Sequence, residues 1–337
     1  TQVRSYAGEL LSVTDVNNKS VVFTYDAYGN LLTAAADGHT QVTNRYDRYG
    51  RKLSTDDSDK GLWSYTYNSA GQLKSQTNAN GQVTTFKYDH LDRKVSRQDH
   101  TESLTCWRYG TSTADFSLNK LVEVRTYKGN VSSCPVSSDT SHNYKESFVY
   151  NGKGQVLTKT VEFEGQSYRT HTIYDEYQRV RNVIYPRQAI SVRNEYENGF
   201  LTKVINNTSN DADFGTVLKQ VKAVDARGKA ISVDYGNGVS ESSTYYAETG
   251  LAHSKNIGNA VWHNDQEYDW NLIGNLTDRT FDIDLGSSSK QYAETFGYDN
   301  LNRLTSRTLS GSDFYGSSAS ELFTYDAIGN LLTKTGV

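Results

Sequence analysis

The feature that most constrains this chain is a repeated pair of residues, a tyrosine followed by aspartate or asparagine. In the first copies the tyrosines are Tyr25, Tyr46, Tyr67 and Tyr88, which are 21 residues apart, and Tyr109 keeps the same step. A turn-forming residue, usually glycine, lies four residues after each of the first four tyrosines, and a leucine or valine follows soon after. Self-similarity at a short, fixed period is the signature of a repeat architecture, so one small unit must build the fold.

The pattern returns with looser spacing in the second half of the chain, at Tyr150, Tyr174 and beyond. The predicted structural anchors of the repeats are Tyr25, Asp26, Gly29, Tyr46, Asp47, Gly50, Tyr67, Gly71, Tyr88, Asp89, Tyr150, Gly154, Tyr174, Asp175, Tyr268, Asp269, Tyr298, Asp299, Tyr325, Asp326 and Gly329. Weaker copies are expected at Tyr196, at Val224-Asp225 and at Tyr246, with a partial first copy at Tyr6.

Each position of the repeat has a physical role. Residues before the tyrosine alternate, as in Trp63, Tyr65 and Tyr67, which places them on one face of a strand. The aspartate or asparagine can accept backbone hydrogen bonds and start a turn, and glycine suits the positive φ that such a turn needs. The unit is therefore a two-stranded hairpin. Because a lone hairpin is marginally stable in water, the hairpins must join edge to edge, and we expect their tyrosine rings to align as a ladder.

Composition supports a sheet and argues against a disordered chain. Hydrophobic residues make up 36% of the chain and the mean hydropathy is −0.69, yet there are only 2 prolines. Polar disordered chains usually contain many prolines, whereas a long sheet excludes them. The 25 tyrosines suit a thin layer that is wetted on at least one face, because the ring packs while the hydroxyl remains hydrogen-bonded. The fold class is therefore all-β, with a twisted and coiling antiparallel sheet.

The predicted organisation is one continuous array without separate globular domains. Regular repeats occupy residues 1–109, an insertion or irregular loop occupies 110–145, and less regular repeats occupy 146–337. Cys106 and Cys134 flank most of the insertion. They could form a disulfide in a secreted protein or remain two free thiols in a cytosolic one, and the residues alone favour neither.

Charge and hydropathy exclude some partners. The net charge is −4 and lysine and arginine are not concentrated anywhere, so nucleic acid is not an expected partner. The sequence has no apolar run of membrane-spanning length and no recognisable signal peptide. A chain that begins at Thr1 and ends at Val337, just after a repeat, is expected to be an excised or processed piece.

The units of the form Y-D-x-x-G-[NR]-L, spaced about 21 residues apart, resemble the YD or RHS (rearrangement hotspot) repeats. The stretch from Tyr235 to Val239, followed by Tyr245 to Leu251, is similar to a form that recurs in bacterial members. The resemblance covers almost the whole chain apart from roughly residues 110–145.

The resemblance implies a curved, spiralling antiparallel sheet that is part of a hollow shell. Bacterial members are secreted polymorphic toxins and the B and C subunits of toxin complexes, in which the shell encloses a C-terminal effector domain. Animal teneurins use the same shell in cell adhesion. The D-P-x-G-L-like autoprotease junction of bacterial shells has no match, and Asp326 to Gly329 is predicted to be an ordinary repeat turn.

Several polar groups could carry chemistry, but each has a simpler interpretation. The carboxylate pairs Glu162/Glu164 and Asp282/Asp284 have a spacing that resembles that of glycosidases, and a charged strand face explains them better. Asp56, Asp57 and Asp59 before Gly61 suit a hairpin turn better than a calcium loop. His142 and Glu146 would share a side only on a helix, and a loop is expected there. The sequence therefore predicts no enzyme, no metal site and no cofactor.

The expected function is a structural shell segment of a secreted bacterial toxin. Its expected partners are its own C-terminal effector domain, which this chain does not include, or other shell segments. The alternative is an extracellular adhesion or carbohydrate-binding module that recognises cell-surface glycans. That alternative rests on the aromatic residues and above all on Trp63, Trp107, Trp262 and Trp270, which the spacing places outside the tyrosine register.

Overall fold

The computed structural model describes residues 1–14, 19–36, 38–129, 131–188, 190–209, 211–299, 301–311, 319–326 and 329–336. In this part of the chain 28 strands form, and the helical structure is a single 3₁₀ turn at Pro186–Gln188. No helix among these residues has the length and apolar character needed to cross a bilayer. The predicted all-β class is confirmed.

The strands belong to two compact units. The first unit is Thr1–Thr172 with Tyr185–Arg187, and the second is Ile173–Ile184 with Gln188–Val337. The first unit contains β1 (Gln2–Arg4), β2 (Leu10–Thr14), β3 (Ser20–Tyr25), β4 (Leu31–Ala36), β5 (His39–Tyr46), β6 (Lys52–Asp57), β7 (Gly61–Tyr67), β8 (Leu73–Thr77), β9 (Val83–Tyr88), β10 (Lys94–Gln98), β11 (Leu104–Tyr109), β12 (Leu121–Tyr127), β13 (Tyr144–Tyr150), β14 (Val156–Phe163) and most of β15 (Gln166–Tyr174).

The second unit contains β16 (Val180–Ile184), β17 (Ser191–Glu197), β18 (Phe200–Asn206), β19 (Val217–Val224), β20 (Ala230–Tyr235), β21 (Ser240–Tyr245), β22 (Ala252–Gly258), β23 (His263–Trp270), β24 (Leu276–Asp284), β25 (Ser289–Tyr298), β26 (Leu304–Gly311), β27 (Ala319–Tyr325) and β28 (Leu331–Thr335). Inside each unit every strand pairs antiparallel with its neighbours in sequence, from β1–β2 to β14–β15 and from β16–β17 to β27–β28. This is the tandem hairpin array that the repeat predicts.

A β-bulge marks the end of many hairpins. In β3–β4 the register shifts between Thr24 and Tyr25, and the same shift recurs between Thr66 and Tyr67 and between Thr324 and Tyr325. A bulge increases the local twist and turns a strand out of the regular ladder. The tyrosine of the repeat therefore lies at a defined irregularity, beside the turn.

The two faces of the sheet differ in chemistry. One face, here called the tyrosine face, carries the repeat tyrosines and the aromatic residues that alternate with them, such as Tyr65 and Phe86. The other, here called the hydroxyl face, carries hydroxyl pairs that hydrogen-bond across four of the hairpins. These pairs are Thr24 with Thr33, Thr66 with Ser75, Thr244 with Ser254 and Thr324 with Thr333, at 2.6 to 2.7 Å.

The array has very little conventional core. Among the described residues, the buried hydrophobic side chains are Leu104, Tyr127, Ile205 and Val233. Polar residues such as Asn44 and Glu294 are as deeply buried. The sheet is therefore held by hydrogen bonds and ion pairs along its faces more than by an apolar interior.

Glu294 shows how one face can replace a core. Its side chain is 2% exposed and lies on β25 between Arg279 and Arg307, each of which donates from Nε at 2.7 Å. Arg307 also pairs with Glu321 at 3.1 Å, and Glu321 pairs with Lys334 at 2.8 Å. Charges of alternating sign thus connect five successive strands, β24 to β28.

The segment 110–145 departs from the prediction of an irregular loop. It contains β12, which pairs with β11 and β13. Leu121 and Glu123 lie on one face of β12, and Val122 and Val124 lie on the other, as in any strand. The segment therefore consists of a long turn, a return strand and a second long connection. The division into two compact units lies near residues 172–188.

The Glu294 network makes the first prediction. Replacing Glu294 with alanine leaves two guanidinium groups facing each other without their shared carboxylate. Both arginines are about one-third exposed, so we expect a loss of about 2 kcal/mol in the free energy of unfolding, less than for a fully buried pair. Glu195→Ala, at the exposed pair with Arg193, is the control and should change stability by less than about 0.5 kcal/mol. Urea denaturation of both variants measures this, and equal losses would contradict the argument.

Candidate functional site

The turn after each repeat tyrosine is organised by the aspartate or asparagine that follows it. In the first full copy, the backbone N–H of Asp26 donates to Asn30 O at 3.0 Å, and Gly29 N–H donates to Asp26 O at 3.1 Å. The Asp26 carboxylate accepts from the N–H groups of Tyr28 and Asn30, both at 2.9 Å. The side chain thus holds four residues in one conformation, and we call this element the repeat turn.

The glycine of the repeat turn has positive φ, as at Gly29, where φ is 83°. Three copies replace this glycine, and the replacements Asp92, Gln178 and Asn302 keep φ between 61° and 66°. Because such a φ costs a side-chain-bearing residue energy, the turn geometry must be imposed by the hydrogen bonds around it.

The tyrosine hydroxyl joins each hairpin to the one before it. Tyr46 OH donates to Leu31 O at 3.0 Å, and Leu31 begins the return strand, the strand that follows the preceding repeat turn. The same bond joins Tyr25 to Leu10, Tyr67 to Lys52, Tyr88 to Leu73, Tyr109 to Lys94, Tyr150 to Leu121, Tyr196 to Val180, Tyr245 to Ala230, Tyr298 to Leu276 and Tyr325 to Leu304, at 2.6 to 3.3 Å.

The accepting carbonyl lies just beyond the backbone ladder. Between β6 and β7, the pairing ends at Ser54 opposite Ser64, while Tyr67 bonds to the carbonyl of Lys52, two residues further on. The side-chain hydroxyl therefore takes the place of a ladder donor where the strands have begun to separate. Partial burial raises the pKa of Tyr67 and of Tyr88, which keeps these donors protonated.

An arginine connects many of these junctions. Arg51 donates from Nε to Asp47 at 2.6 Å, inside its own repeat turn, and its guanidinium lies 4.9 Å from the ring of Tyr67 in the next repeat. The ring of Tyr49 covers it at 5.3 Å. The same pairing joins Asp89, Arg93 and Tyr109, then Asp175, Arg179 and Tyr196, then Asp299, Arg303 and Tyr325, with cation-to-ring distances of 4.2 to 4.7 Å.

The contacts of the repeat tyrosines, which share one face of the sheet, go to groups other than neighbouring rings. The described contacts of the tyrosine junctions are with carbonyl groups and cations, and ring pairs such as Phe281 with Tyr292, at 4.4 Å, form elsewhere. Repeat tyrosines that share a face are separated by two strands, about 9–10 Å, which is too far for direct stacking, so a cation occupies the gap.

One predicted anchor is wrong by two residues. Trp270, and not Tyr268, occupies the anchor position, because Trp270 Nε1–H donates to Ala252 O at 2.7 Å. Asn271 rather than Asp269 forms the repeat turn, accepting from Asn275 N–H at 2.9 Å. Trp270 is therefore inside the repeat register that the sequence seemed to exclude it from. Likewise, Tyr245 and not Tyr246 is the anchor of its copy.

The remaining predicted anchors lie in repeat turns. Asn68 and Asn151 replace aspartate and keep the backbone bonds to Gln72 and Gln155. Asp175 N–H donates to Arg179 O at 2.9 Å. In the last copy Asp326 N–H donates to Asn330 O at 3.0 Å, while Ala327 and Ile328 of that turn lie outside the described residues.

Cys106 and Cys134 are joined by a disulfide. Cys106 lies on β11 and Cys134 in the connection between β12 and β13, 28 residues apart in sequence. Of the two alternatives that the sequence left open, a disulfide or two free thiols, the structure has the disulfide.

The candidate catalytic carboxylates are engaged in structural contacts. Glu162 lies on β14 and bonds to Lys145 at 2.8 Å and to His142 at 3.2 Å, and the hydrogen bond from Lys145 lowers its pKa. Glu164 does not share its strand face, because β14 ends at Phe163 and Glu164 is in the hairpin turn with φ of 48°.

The pair Asp282 and Asp284 does lie on one face of β24. Asp282 accepts from Gln291 Nε2 at 2.8 Å, and it lies opposite Asp265 in the register. The hydroxyl face of β23 and β24 carries six carboxylates in all, those of Asp265, Glu267, Asp269, Asp278, Asp282 and Asp284. These six carboxylates form a charged strand surface.

The other polar motifs are local. Asp57 accepts from the N–H groups of Asp59 and Lys60, both at 3.0 Å, and forms the tight turn between β6 and β7. Within the part of the chain that the structure describes, no group of three or more histidine, cysteine, aspartate or glutamate residues is placed to hold a metal ion. Three of the four tryptophans make structural contacts: Trp63 donates to Lys60 O, Trp270 to Ala252 O, and Lys94 lies over Trp107 at 4.3 Å.

The repeat and the fold both have counterparts among known proteins. The RHS repeat family model matches residues 5–42 and 67–99. No curated protein sequence matches the chain. Solved structures of toxin-complex proteins match over almost the whole chain, so the chain carries RHS repeats at these residues and shares the sheet fold of those structures.

Three of these structures illustrate the likeness. A crystal structure of TcdB2-TccC3-TEV has a TM-score of 0.70 at 14% identity and covers 99% of this chain and 20% of that one. TcdB2-TccC3 without its hypervariable C-terminal region gives 0.66 at 14% identity, over 99% and 20%. The Photorhabdus luminescens Tc holotoxin pore gives 0.58 at 12% identity, over 100% and 22%. The chain thus spans about a fifth of each matched chain, and identities this low establish the fold alone.

The tyrosine junction makes the second prediction. Tyr67→Phe removes the donor to Lys52 O and leaves that carbonyl without its side-chain partner, so we expect a loss of about 1 kcal/mol in the free energy of unfolding. Tyr28→Phe is the matched control, because that ring is 86% exposed, and it should be neutral within about 0.3 kcal/mol. Equal denaturation midpoints for Tyr67→Phe and wild type would show that the hydroxyl bond has no energetic role.

The repeat turns make the third prediction, on pH. Hydrogen bonds from the side chain and backbone of Arg93 and the backbone of Leu91 hold the pKa of Asp89 below 3.8. A carboxyl whose pKa is lower in the folded state stabilises the fold above its unfolded pKa and loses that contribution as pH falls through the folded value. Asp89→Asn keeps the turn acceptor without the charge, so the variant should be less stable than wild type at neutral pH.

We expect this difference to shrink as pH falls from about 5 to about 2, when wild-type Asp89 is protonated. Urea denaturation across that range measures it, with Asp59→Asn as the control in a hairpin turn. A gap that is constant with pH would mean that Asp89 does not titrate with folding.

Proposed function

We propose that the chain is a wall segment of a bacterial RHS shell that encloses a C-terminal effector domain not included in this chain. The observation that carries the proposal is the junction repeated along each unit, in which a hydroxyl, a carboxylate and a cation join one hairpin to the next. Such junctions stabilise a single-layered sheet through contacts on its face. A layer of this kind suits a container better than it suits an active site, which needs convergent groups in a cleft.

The fold supports the same proposal. The matched proteins include TcdB2-TccC3 with and without a hypervariable C-terminal region. That name says that the matched protein has a hypervariable C-terminal region. We extend this to the present protein, whose partners would be its own effector and other shell segments.

The disulfide supports a secreted protein. Disulfides persist in oxidising compartments and are rare in reducing ones, so the Cys106–Cys134 bond fits an extracellular or delivered protein. The candidate carboxylates pair with lysine, histidine or glutamine, which supports a structural role rather than glycosidase chemistry.

The alternative of a carbohydrate-binding module has less support. A sugar platform needs exposed rings that are free to stack, and the rings of Trp107 and Trp270 are already held by Lys94 and Ala252. The adhesion alternative has no observation of its own in the structure.

The fourth prediction tests the enclosure of cargo. The native reading frame that contains this chain is expressed in full, and the segment that follows residue 337 is followed during limited proteolysis. We expect that segment to be protected in the intact protein and cleaved at least about tenfold faster when Tyr46, Tyr67 and Tyr88 are all replaced by alanine. The matched control replaces three exposed turn residues, Tyr28, Leu91 and Leu272, by alanine.

Protection that is equal in the two triple variants would exclude the wall as its source. Rapid cleavage of the segment in the wild-type protein would contradict enclosure directly. A reading frame that stops at residue 337 would do the same.

A further inference from the structure

The connection between β12 and β13 crosses the hydroxyl face of the sheet. Its residues 131–143 are here called the strap. The strap includes Cys134, which forms a disulfide with Cys106 on β11. The Sγ atom of Cys134 lies 3.6 Å from Val95 O on β10. Ser132 and Val131, at the start of the strap, line a cavity of about 350 Å³ together with residues of β9, β10 and β11. The strap therefore forms a local second layer over a wall that is otherwise one sheet thick.

Two apolar side chains are hidden at this place. Leu104 and Tyr127 are directly opposite each other in the β11–β12 register and are 2% and 1% exposed. Elsewhere on the hydroxyl face of the same unit, Leu62 and Val83 are 55% and 43% exposed. Leu104 lines the cavity together with Gly129 and Val131, so the start of the strap lies beside it. We infer that the strap also covers Tyr127, the register partner of Leu104.

The end of the strap is fixed to the sheet by the bond between His142 and Glu162 at 3.2 Å and by Asn143 N–H, which donates to Thr126 O at 2.9 Å. Two further attachments hold its middle. One is the disulfide. The other is Arg125 on β12, whose guanidinium donates to the carbonyls of Ser137 and Asp139 and is anchored by Glu123 at 2.9 Å. Arg125 has a side chain that is 6% exposed, while Ser137 lies at the surface.

The two sulfurs differ in their access to solvent. Cys134 is exposed, whereas Cys106 is half-buried on its strand. A thiolate attacks an accessible disulfide sulfur faster than a buried one, so exchange should begin at Cys134.

We propose that the strap is a redox-released cover, closed while the Cys106–Cys134 bond exists and opened by a dithiol reductant. A thiolate of the reductant attacks Cys134 Sγ, and the Sγ–Sγ bond breaks with Cys106 leaving as a thiolate. The second thiol of the reductant then attacks the mixed disulfide and releases Cys134. The reductant ends as its own disulfide, having supplied two electrons, and two protons complete the cysteine thiols.

Release of the bond should open the middle of the strap because its remaining attachment is not covalent. The bonds from Arg125 to two carbonyls can be exchanged for bonds to water once the strap can move, because they are not covalent. The disulfide, in contrast, closes a loop across 28 residues and removes most of its conformational freedom. Opening exposes Leu104 and Tyr127 and creates an apolar patch on the hydroxyl face.

The test measures the solvent access of Tyr127 in the full chain by hydroxyl-radical footprinting and mass spectrometry. Samples are oxidised wild type, wild type reduced by a dithiol and alkylated, and Cys134→Ser without reductant. We expect Tyr127 modification to rise on the order of tenfold in the last two samples, with Tyr28 as the unchanged reference. Ser133→Ala, beside the disulfide, is the matched control and should behave as oxidised wild type.

Two outcomes overturn the proposal. One is that both thiols become alkylated while Tyr127 modification stays within about twofold of the oxidised protein, which would mean that Arg125 alone holds the middle of the strap. The other is that the folded protein resists reduction by the dithiol. If Cys134→Ser does not fold, reduced wild type decides the matter, and Arg125→Gln should then open further on reduction while remaining closed when oxidised.

Discussion

The hydrogen bond from a repeat tyrosine to the return strand of the preceding hairpin is the interaction on which the array depends. The backbone ladder between consecutive hairpins ends two residues before the accepting carbonyl, as it does between Ser54 and Lys52. Beyond that point only a side chain can reach across. A phenol is rigid and of fixed length, so it sets the spacing of the two strands as well as satisfying the carbonyl. Because a lone hairpin is marginal, the stability of the wall is close to a sum over such junctions.

The junction tolerates substitution because each of its tasks can be done by more than one residue. Asparagine forms the repeat turn at Asn68 and Asn151 with the same backbone bonds as aspartate. Lysine replaces arginine beside Tyr150 and Tyr245, at 5.1 and 4.6 Å from the rings. Tryptophan replaces tyrosine at position 270 with its indole N–H as the donor. Such exchanges preserve geometry while identity decays, which explains how a chain only 12–14% identical to the toxin shells shares their fold.

The hairpin array was predictable because its period, turn chemistry and alternation all point to the same structure. The bonding of the tyrosines was not, since the acceptor is a backbone carbonyl that leaves no mark in the sequence. The error at Tyr268 has a specific cause: a second aromatic–acid pair stands two residues before the true anchor. Counting back from Gly274-Asn275-Leu276, which match Gly29-Asn30-Leu31, would have placed the anchor at Trp270. The sequence left open whether Cys106 and Cys134 form a disulfide, and the course of the strap was beyond prediction, because nothing periodic specifies which face a long connection crosses.

The insertion shows where such a wall can acquire new properties. Residues 110–120 lengthen a single repeat turn. Tyr150 nevertheless donates to Leu121 O, 29 residues away in sequence, and its ring lies beside Lys120, as in the other junctions. The junction therefore depends on the return strand and not on the length of the turn before it. A turn can grow at the edge, or a connection can cross a face, without disturbing the next hairpin. The strands then maintain the hairpin array, while the connections between them can add segments such as the strap.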